Sequence, residues 1–282
     1  MTVRPIKRIT GGSVSYDGAG VKLVRIFGYN DVTDFDPFLL LDAFDSTDSA
    51  DYIKGFPWHP HRGIETVTYL ISGKIEHGDS LKNSGTINDG CCQWMTAGNG
   101  IIHQEMPKPC PRMLGTQLWI NIAQKDKMTE PAYRDIRSEQ IPVHLDEIAE
   151  VKILSGTYKG ISGPLQGDYV KTTYLDVRLE ANKLWSCNVA PANTVFCYIL
   201  EGSALFGESP REEIGSHRAV LFGEGDTIQA TSGDQGVRFL LIGGQPLHEP
   251  IAWSGPIVMN TQEELDLAQQ ELQRGTFIKH AR

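Results

Sequence analysis

Apolar and polar residues alternate along much of this chain, and glycine-containing turns interrupt the alternation at short intervals. Residues 14–28 read VSYDGAGVKLVRIFG, with a turn expected at Asp17-Gly18. Residues 65–77 read ETVTYLISGKIEH, with a bend expected at Ser72-Gly73. Alternation with a period of two residues is typical of strands that bury one face. Short strands at this spacing predict an all-β sandwich or barrel and not an alternating β/α sheet.

The strand patterns fall into two blocks, separated by a polar, proline-containing stretch at about 124–150. We therefore predict an N-terminal domain over 1–135 and a C-terminal domain over 136–282. The second block repeats the first, since TVTYLISGKI at 66–75 aligns with NTVFCYILEGSAL at 193–205. An internal repeat of a β-domain follows from this match.

The C-terminal domain is predicted to end in a helix at about 261–275. Thr261 and Glu264 have the spacing of a capping box, and Gly275 is a suitable stop. An apolar stripe on one side of this helix indicates that it packs against the rest of the domain.

Composition and charge exclude several classes of protein. The 282 residues carry a net charge of −9, which argues against direct binding to nucleic acid. No apolar run reaches the roughly 20 residues needed to cross a bilayer, and the N-terminus lacks an apolar signal-peptide core. Five cysteines without CxxC spacing predict reduced thiols rather than a disulfide framework. We therefore expect a cytoplasmic protein that does not bind a membrane. We also expect a monomer.

Two histidine-containing pairs have the spacing of metal ligands. His59 and His61 are two residues apart, and His103 and Glu105 repeat this spacing about forty residues later. On an extended chain, residues i and i+2 point to the same side, so two adjacent strands could bring four donors together. Three imidazoles and a carboxylate suit Fe(II), Mn(II), Ni(II) or Zn(II) and leave coordination positions open. The alternative is that His-x-His is only a detail of a loop. The second block has no such pair, so we expect one metal site.

The other histidines lack a partner motif. We interpret His77 as a turn residue, with contact to a metal ligand or to substrate as the alternative. His248 lies next to Glu249, but adjacent strand residues diverge, so they form a poor ligand set. The remaining ones are predicted to lie on the surface: His144, His217 and His280.

The segment from Asp31 to Asp51 holds seven aspartates. We expect a solvated loop with aspartates in turns, and a second cation site is the alternative.

Three segments of this chain resemble the pirin family of the cupin superfamily: HPHRGIETVTYLISGKIEHGDS, QWMTAGNGIIHQEMP and GQPLHEPIAWSGPIVMNTQEEL. The resemblance implies two cupin (jelly-roll-like) β-barrels in tandem that face each other, with a metal, commonly Fe(II), in the first barrel only. Matched by position, the family's ligands fall on His59, His61, His103 and Glu105. Glu65 stands near the place of the glutamate ligand in the general cupin pattern and is the alternative to Glu105.

Two functions follow from this resemblance. Some pirins resemble quercetin 2,3-dioxygenases, which open a flavonol with O₂ and release carbon monoxide. In that case the cofactor is Fe(II), the partners are a small aromatic flavonol and O₂, and Glu105 is the catalytic base. The alternative is a non-enzymatic, metal- or redox-dependent regulator that binds a transcription factor or a metabolic enzyme. A metal-stabilised fold without activity is a third interpretation.

Overall fold

The structure is a computed structural model that describes residues 1–207 and 212–279. The chain divides into two compact units. Barrel 1 comprises Ser13–Ser138 and Leu247–Arg282, and barrel 2 comprises Met1–Gly12 and Glu139–Pro246. The predicted surface position of His280 lies outside the described residues.

Strands provide most of the regular structure, as the sequence predicted. In the described part of the chain they are β1 (Ile6–Thr10), β2 (Ser13–Asp17), β3 (Val21–Phe27), β4 (Phe38–Ser46), β5 (Phe56–His61), β6 (Ile64–Ser72), β7 (Ile75–Asp79), β8 (Ser84–Ile87), β9 (Cys92–Thr96), β10 (Ile101–Pro107), β11 (Met113–Asn121), β12 (Ala132–Ile136), β13 (Val143–Leu145), β14 (Ala149–Ser155), β15 (Thr157–Tyr158), β16 (Ile161–Ser162), β17 (Thr172–Leu179), β18 (Leu184–Asn188), β19 (Thr194–Phe206), β20 (Ile214–Gly215), β21 (Ala219–Phe222), β22 (Thr227–Gly244), β23 (Ala252–Ser254) and β24 (Ile257–Met259). The α-helices are α1 (Val32–Phe35) and α2 (Gln262–Arg274).

The predicted C-terminal helix is confirmed as α2. The Thr261 hydroxyl accepts a hydrogen bond from the Glu264 amide, and the Glu264 carboxylate accepts one from the Thr261 amide. Gly275 ends the helix with a left-handed φ of 69°. That conformation strains residues with a Cβ, so glycine is the residue expected there.

Barrel 1 contains two large antiparallel sheets. One has the strand order β12-β9-β6-β11-β4-β3-β2, and the other has the order β5-β10-β7-β8. β2 ends at Asp17 and β6 ends at Ser72, so both predicted turns are confirmed. Buried and partly buried residues alternate strictly in β10, whereas β4, β6 and β9 are buried along most of their length. Leu40, Ile64 and Ile101 belong to one of the buried apolar clusters.

Barrel 2 is built on one extensive antiparallel sheet with the order β1-β21-β19-β22-β17-β14-β13, where β18 also pairs with β22 and β20 with β19. β19 lies between β21 and β22, as β6 lies between β9 and β11. The sequence repeat at 66–75 and 193–205 therefore corresponds to strands in equivalent positions of the two barrels. Aromatic rings fill its interior. The Phe239 ring centroid lies 5.6 Å from that of Trp185 and 5.8 Å from that of Phe206.

The two ends of the chain do not follow the predicted domain division. The boundary expected after residue 135 lies close to the division at Ser138 and Glu139. However, residues 1–12 belong to barrel 2, because β1 pairs with β21. Residues 247–282, with α2, belong to barrel 1. Both assignments depend on contacts between residues far apart in sequence, which composition does not reveal.

No helix in the described ranges has the length and apolar content needed to span a membrane. The cysteines are free thiols; Cys92, Cys187 and Cys197 are buried, and Cys91 and Cys110 are partly buried. Burial raises the pKa of the Cys92 and Cys197 thiols, so these two remain protonated at neutral pH.

The aromatic packing in barrel 2 predicts a large loss of stability for Phe239→Ala. We expect the free energy of unfolding of this barrel to fall by about 3–5 kcal/mol, because a buried ring is removed and a cavity remains. Denaturant unfolding would measure it. Leu184→Ala, at an exposed position of the same barrel, should change the value by no more than about 0.5 kcal/mol. Equal effects of the two substitutions would contradict the assigned core.

Candidate metal centre

The pairing of β5 with β10 brings the predicted histidines together. These strands are antiparallel, with His103 opposite His59 and Ile101 opposite His61. Directly opposed residues of an antiparallel pair point to the same face, and i and i+2 share a face along each strand. His59, His61 and His103 therefore project from one face of this sheet.

The three imidazoles converge through their Nε2 atoms. His59 Nε2 lies 3.0 Å from His61 Nε2 and 3.0 Å from His103 Nε2. Among the described residues, these three side chains form the one group of at least three candidate ligands whose donor atoms lie within 4.8 Å of one another. His61 and His103 are buried, and His59 is partly exposed.

The outer nitrogens of two rings determine what the Nε2 atoms can do. His59 Nδ1 lies 2.8 Å from the Pro57 carbonyl oxygen, and His61 Nδ1 lies 3.2 Å from that of Pro256. A carbonyl only accepts, so both Nδ1 atoms must donate, and in the neutral rings both Nε2 atoms then carry lone pairs. Two lone pairs facing each other at 3.0 Å repel unless a cation lies between them. The donor set therefore fits a metal ion.

Burial also favours the form of imidazole that binds metals. Desolvation, followed by the neighbouring histidines, lowers the pKa of His61 and of His103 well below the usual value. Both rings are therefore neutral at physiological pH, and neutral imidazole is the form that coordinates a cation.

Glu105 lies outside this histidine group. Its pairing partner on β5 is Phe56, after a shift in register between His103 and Glu105. The buried carboxylate accepts hydrogen bonds from the Thr68 hydroxyl at 3.0 Å and from the Gln117 amide at 2.9 and 3.2 Å. Its assignment as fourth ligand therefore stays a prediction.

Glu65, the alternative ligand, is also occupied elsewhere. It lies on β6 opposite Thr96 of β9. The Thr96 hydroxyl donates to Glu65 Oε1 at 2.7 Å, in a fully buried position. Like Glu105, it is not part of the histidine group.

The interpretation of His77 as a turn residue is wrong. Its side chain is buried within β7, opposite Glu105 of β10. Its Nε2 lies 3.1 Å from a carboxylate oxygen of Asp135, and its ring packs on Tyr133 with centroids 4.8 Å apart. Pairing of β7 with β10 turns this ring inwards. Because His77 comes only four residues after Gly73, the sequence suggested a turn at this position.

The remaining described histidines are not part of this group. His217 is exposed, and the His248 side chain is 82% exposed. His144 is partly exposed and contacts Asp146 at 3.1 Å. These placements agree with the surface positions predicted for His144 and His217.

The aspartate-rich segment is not simply a solvated loop. Its middle forms β4, which is mostly buried. Asp42 pairs with Arg25, and Asp45 pairs with Arg112. These carboxylates are neutralised by arginines, and no cation-binding group of aspartates occurs among the described residues.

A cavity of about 630 Å³ opens beside His59 and His61. Small-molecule sites typically measure about 300–1,000 Å³. Aromatic rings form much of its wall: Tyr29, Phe56, Trp58, Trp119 and Trp253. Trp119 links the cavity to the centre, because its ring stands edge-on to His61 at 5.1 Å between centroids and its Nε1 donates to Gln117 at 3.1 Å.

Charged groups occupy another part of the cavity wall. Arg25 donates two hydrogen bonds to the Asp42 carboxylate, at 2.8 and 2.9 Å, and a third to Asp17 at 2.9 Å. The contact with Asp42 raises the pKa of Arg25, so the guanidinium remains cationic. The cavity therefore combines flat apolar surfaces with a polar wall of Arg25, Asp42 and Asp17.

The geometry predicts that His103→Ala abolishes tight zinc binding. Removal of one of three converging donors should weaken zinc affinity by at least about 100-fold. This exceeds the effect of removing a residue that only hydrogen-bonds to a ligand. Competition with a chromogenic chelator would measure it, with circular dichroism to verify folding. His217→Ala and Glu65→Gln should bind zinc normally. Unchanged affinity in His103→Ala would contradict the site.

Comparison with known proteins agrees with this fold. The family model described as Pirin matches residues 20–120, and that of the Pirin C-terminal cupin domain matches residues 174–278. A pirin-like protein of Caulobacter vibrioides is 40% identical over 280 residues, covering 98% of this chain and 100% of the relative. Human pirin is 38% identical over 255 residues, covering 89% of this chain and 86% of the relative. The crystal structure of a quercetin 2,3-dioxygenase from Acinetobacter baumannii has a TM-score of 0.88 at 29% identity and covers 98% of this chain and 99% of that one. This chain, with its two cupin domains, belongs to the pirin family.

Proposed function

We propose that this protein is a mononuclear iron dioxygenase of the quercetin 2,3-dioxygenase type. The observation that carries the proposal is the aromatic cavity of about 630 Å³ that reaches His59 and His61. A metal held by converging histidines at the wall of a cavity is accessible to a small molecule. Similarity to the quercetin 2,3-dioxygenase of Acinetobacter baumannii over 98% of this chain supports the choice of reaction.

His59, His61 and His103 would hold the metal through Nε2, with Glu105 as the predicted fourth ligand. Three neutral imidazoles suit Fe(II), and also Mn(II), Ni(II) and Zn(II), so the donor set alone does not select iron. When bound, Fe(II) supplies redox chemistry toward O₂ and lowers the pKa of a coordinated hydroxyl group. Fewer than six protein donors leave positions for substrate and O₂.

The cavity walls suit a planar polyphenol. Trp119 and Trp253 lie with ring centroids 5.9 Å apart, and Tyr29 lies 5.7 Å from Trp253. Such rings bind a flat aromatic substrate by stacking and exclude water from it. Arg25 and Asp42 offer charged partners to hydroxyl groups on the substrate. The substrate class that fits is therefore a hydroxylated flavonol.

Glu105 is the proton acceptor in this proposal. Opening of the flavonol ring begins with loss of the proton of its 3-hydroxyl group, and in this proposal the Glu105 carboxylate takes that proton. Gln117 and Thr68 donate to Glu105 and hold its orientation. Gln117 also lines the cavity, so the network joins the base to the space in which the substrate would bind. O₂ enters the ring-opened ester, and one ring carbon leaves as carbon monoxide.

Aerobic incubation with quercetin tests the reaction. Protein freshly loaded with Fe(II) should consume quercetin and release carbon monoxide in equal amounts, and His59→Ala should do neither. The same assay with Mn(II), Ni(II) or Zn(II) identifies the metal that supports turnover. Iron-loaded protein without turnover would contradict the enzyme and favour the regulator, for which capture of a protein partner with reduced and oxidised iron forms is the next experiment.

Glu105→Gln tests the role of the carboxylate. We expect turnover to fall by about 10²–10⁴-fold, which is the usual contribution of a general base. Zinc binding should persist at reduced affinity, because the three converging histidines remain while the predicted fourth ligand is lost. Glu76→Gln, at an exposed position of the neighbouring β7, is the matched control and should keep normal turnover. Full activity in Glu105→Gln would exclude it as the base.

A further inference from the structure

The last part of the chain lies against the metal strand of barrel 1. The C-terminal segment, here residues 247–279, contains β23, β24 and α2. Ile257 forms a parallel bridge with Arg62, the residue after the ligand His61. The Val258 amide donates to the Arg62 carbonyl oxygen at 3.1 Å. The segment therefore continues the backbone pairing at the end of β5.

This segment makes the hydrogen bond that orients one ligand. His61 donates through Nδ1 to the Pro256 carbonyl, 195 residues away in sequence. His59 instead uses the carbonyl of Pro57, its near neighbour. The outer hydrogen bond of a metal-bound imidazole sets its ring orientation and tautomer. The orientation of His61 therefore depends on where the C-terminal segment docks.

Arg62 anchors this segment. Its side chain is buried, with only 2% of its surface exposed. The guanidinium donates to the Asn99 carbonyl at 2.8 Å and to the Phe277 carbonyl at 2.9 Å, and forms an ion pair with Glu271 at 2.7 Å. It also lies over the Phe277 ring, 4.2 Å from the centroid. One cation thus connects a loop of barrel 1, α2 and the residues that follow α2.

A second buried basic side chain, that of Lys127, holds the same backbone. Lys127 Nζ donates to the Gly63 carbonyl at 2.9 Å, to the Val258 carbonyl at 3.0 Å and to Asn121 Oδ1 at 2.7 Å. Gly63 has a φ of +78°, and a Cβ there would lie 1.9 Å from the Val258 oxygen. The backbone at Gly63 is thus packed directly against β24, which leaves little freedom for the carbonyl of Pro256.

We propose that Arg62 is a positioning residue that couples docking of the C-terminal segment to the metal affinity of the histidine group. When the segment is docked, the Pro256 carbonyl holds His61 ready to bind. Coupling free energies are reciprocal, so metal binding must stabilise the docked segment to the same extent. This inference rests on metal binding by the histidines and not on the dioxygenase reaction, so loss of one proposal leaves the other testable.

Zinc titration of the full chain tests whether Arg62 affects the metal affinity of the histidine group. In Arg62→Lys the charge remains, but the planar fork that reaches Asn99, Phe277 and Glu271 together is lost. We expect zinc affinity to fall by about 10–100-fold, the effect of removing an outer hydrogen-bond partner of a ligand. The control is Arg112→Lys, because Arg112 also binds a carboxylate of barrel 1 through two N–H groups. It should change zinc affinity less than about twofold.

Glu271→Gln keeps the proposal falsifiable if Arg62→Lys does not fold. It removes the ion pair but keeps the size of the side chain, so a fall in zinc affinity of about threefold or more is expected. Normal zinc affinity in a folded Arg62→Lys, or in Glu271→Gln when Arg62→Lys does not fold, would overturn the proposal.

Hydrogen exchange of the unmodified protein tests whether metal binding stabilises the docked C-terminal segment. Zinc should slow exchange of the Val258 amide, which donates to Arg62, and of amides around Phe277. It should do so less in Glu271→Gln. If zinc protected β5 and β10 but left residues 256–277 unchanged, the proposed coupling would be wrong.

Discussion

The antiparallel pairing of β5 with β10 is the constraint on which the metal centre depends, because it places His59 directly opposite His103. The spacing of two residues then brings His61 to the same face. Backbone hydrogen bonds of the ladder fix these positions, and the carbonyls of Pro57 and Pro256 orient the rings. A site built on strands holds its ligands more closely than a site on loops. The three Nε2 atoms are therefore arranged for a cation by the fold itself.

Barrel 2 shows what the same strand pair does without histidines. β18 precedes β19 and pairs with β22, as β5 precedes β6 and pairs with β10. The opposed residues of this second pair include Cys187 with Ile228 and Trp185 with Ala230, and all four belong to the apolar core of the barrel. A cation placed there would lose hydration without gaining polar ligands. The repeat has kept the strand arrangement, while one copy uses its interior for ligands and the other for packing.

Much of this arrangement could be predicted locally, and the rest depends on long-range pairing. The alternating pattern and the turns were sufficient to predict β2, β3, β6 and β7. The i, i+2 spacing was sufficient to predict that His59, His61 and His103 come together. Glu105 follows the same spacing, but a register shift after His103 and the amide of Gln117 on β11 decide where its carboxylate goes. The burial of His77 likewise follows from the pairing of β7 with β10. None of these partners is near its residue in sequence, so no local pattern could reveal them.

Barrel 1 is built from two separate parts of the chain, Ser13–Ser138 and Leu247–Arg282. The metal centre therefore depends on the far end of the chain. Apolar contacts of Leu265, Ala268 and Phe277 supply non-directional burial that holds the C-terminal segment in place. Such burial tolerates small shifts, whereas the guanidinium of Arg62 binds in fixed directions. A buried charge left without partners is also costly, so registers that leave Arg62 unpaired are disfavoured. Burial therefore keeps the segment docked, and the directional bonds of Arg62 favour the register in which the Pro256 carbonyl meets His61.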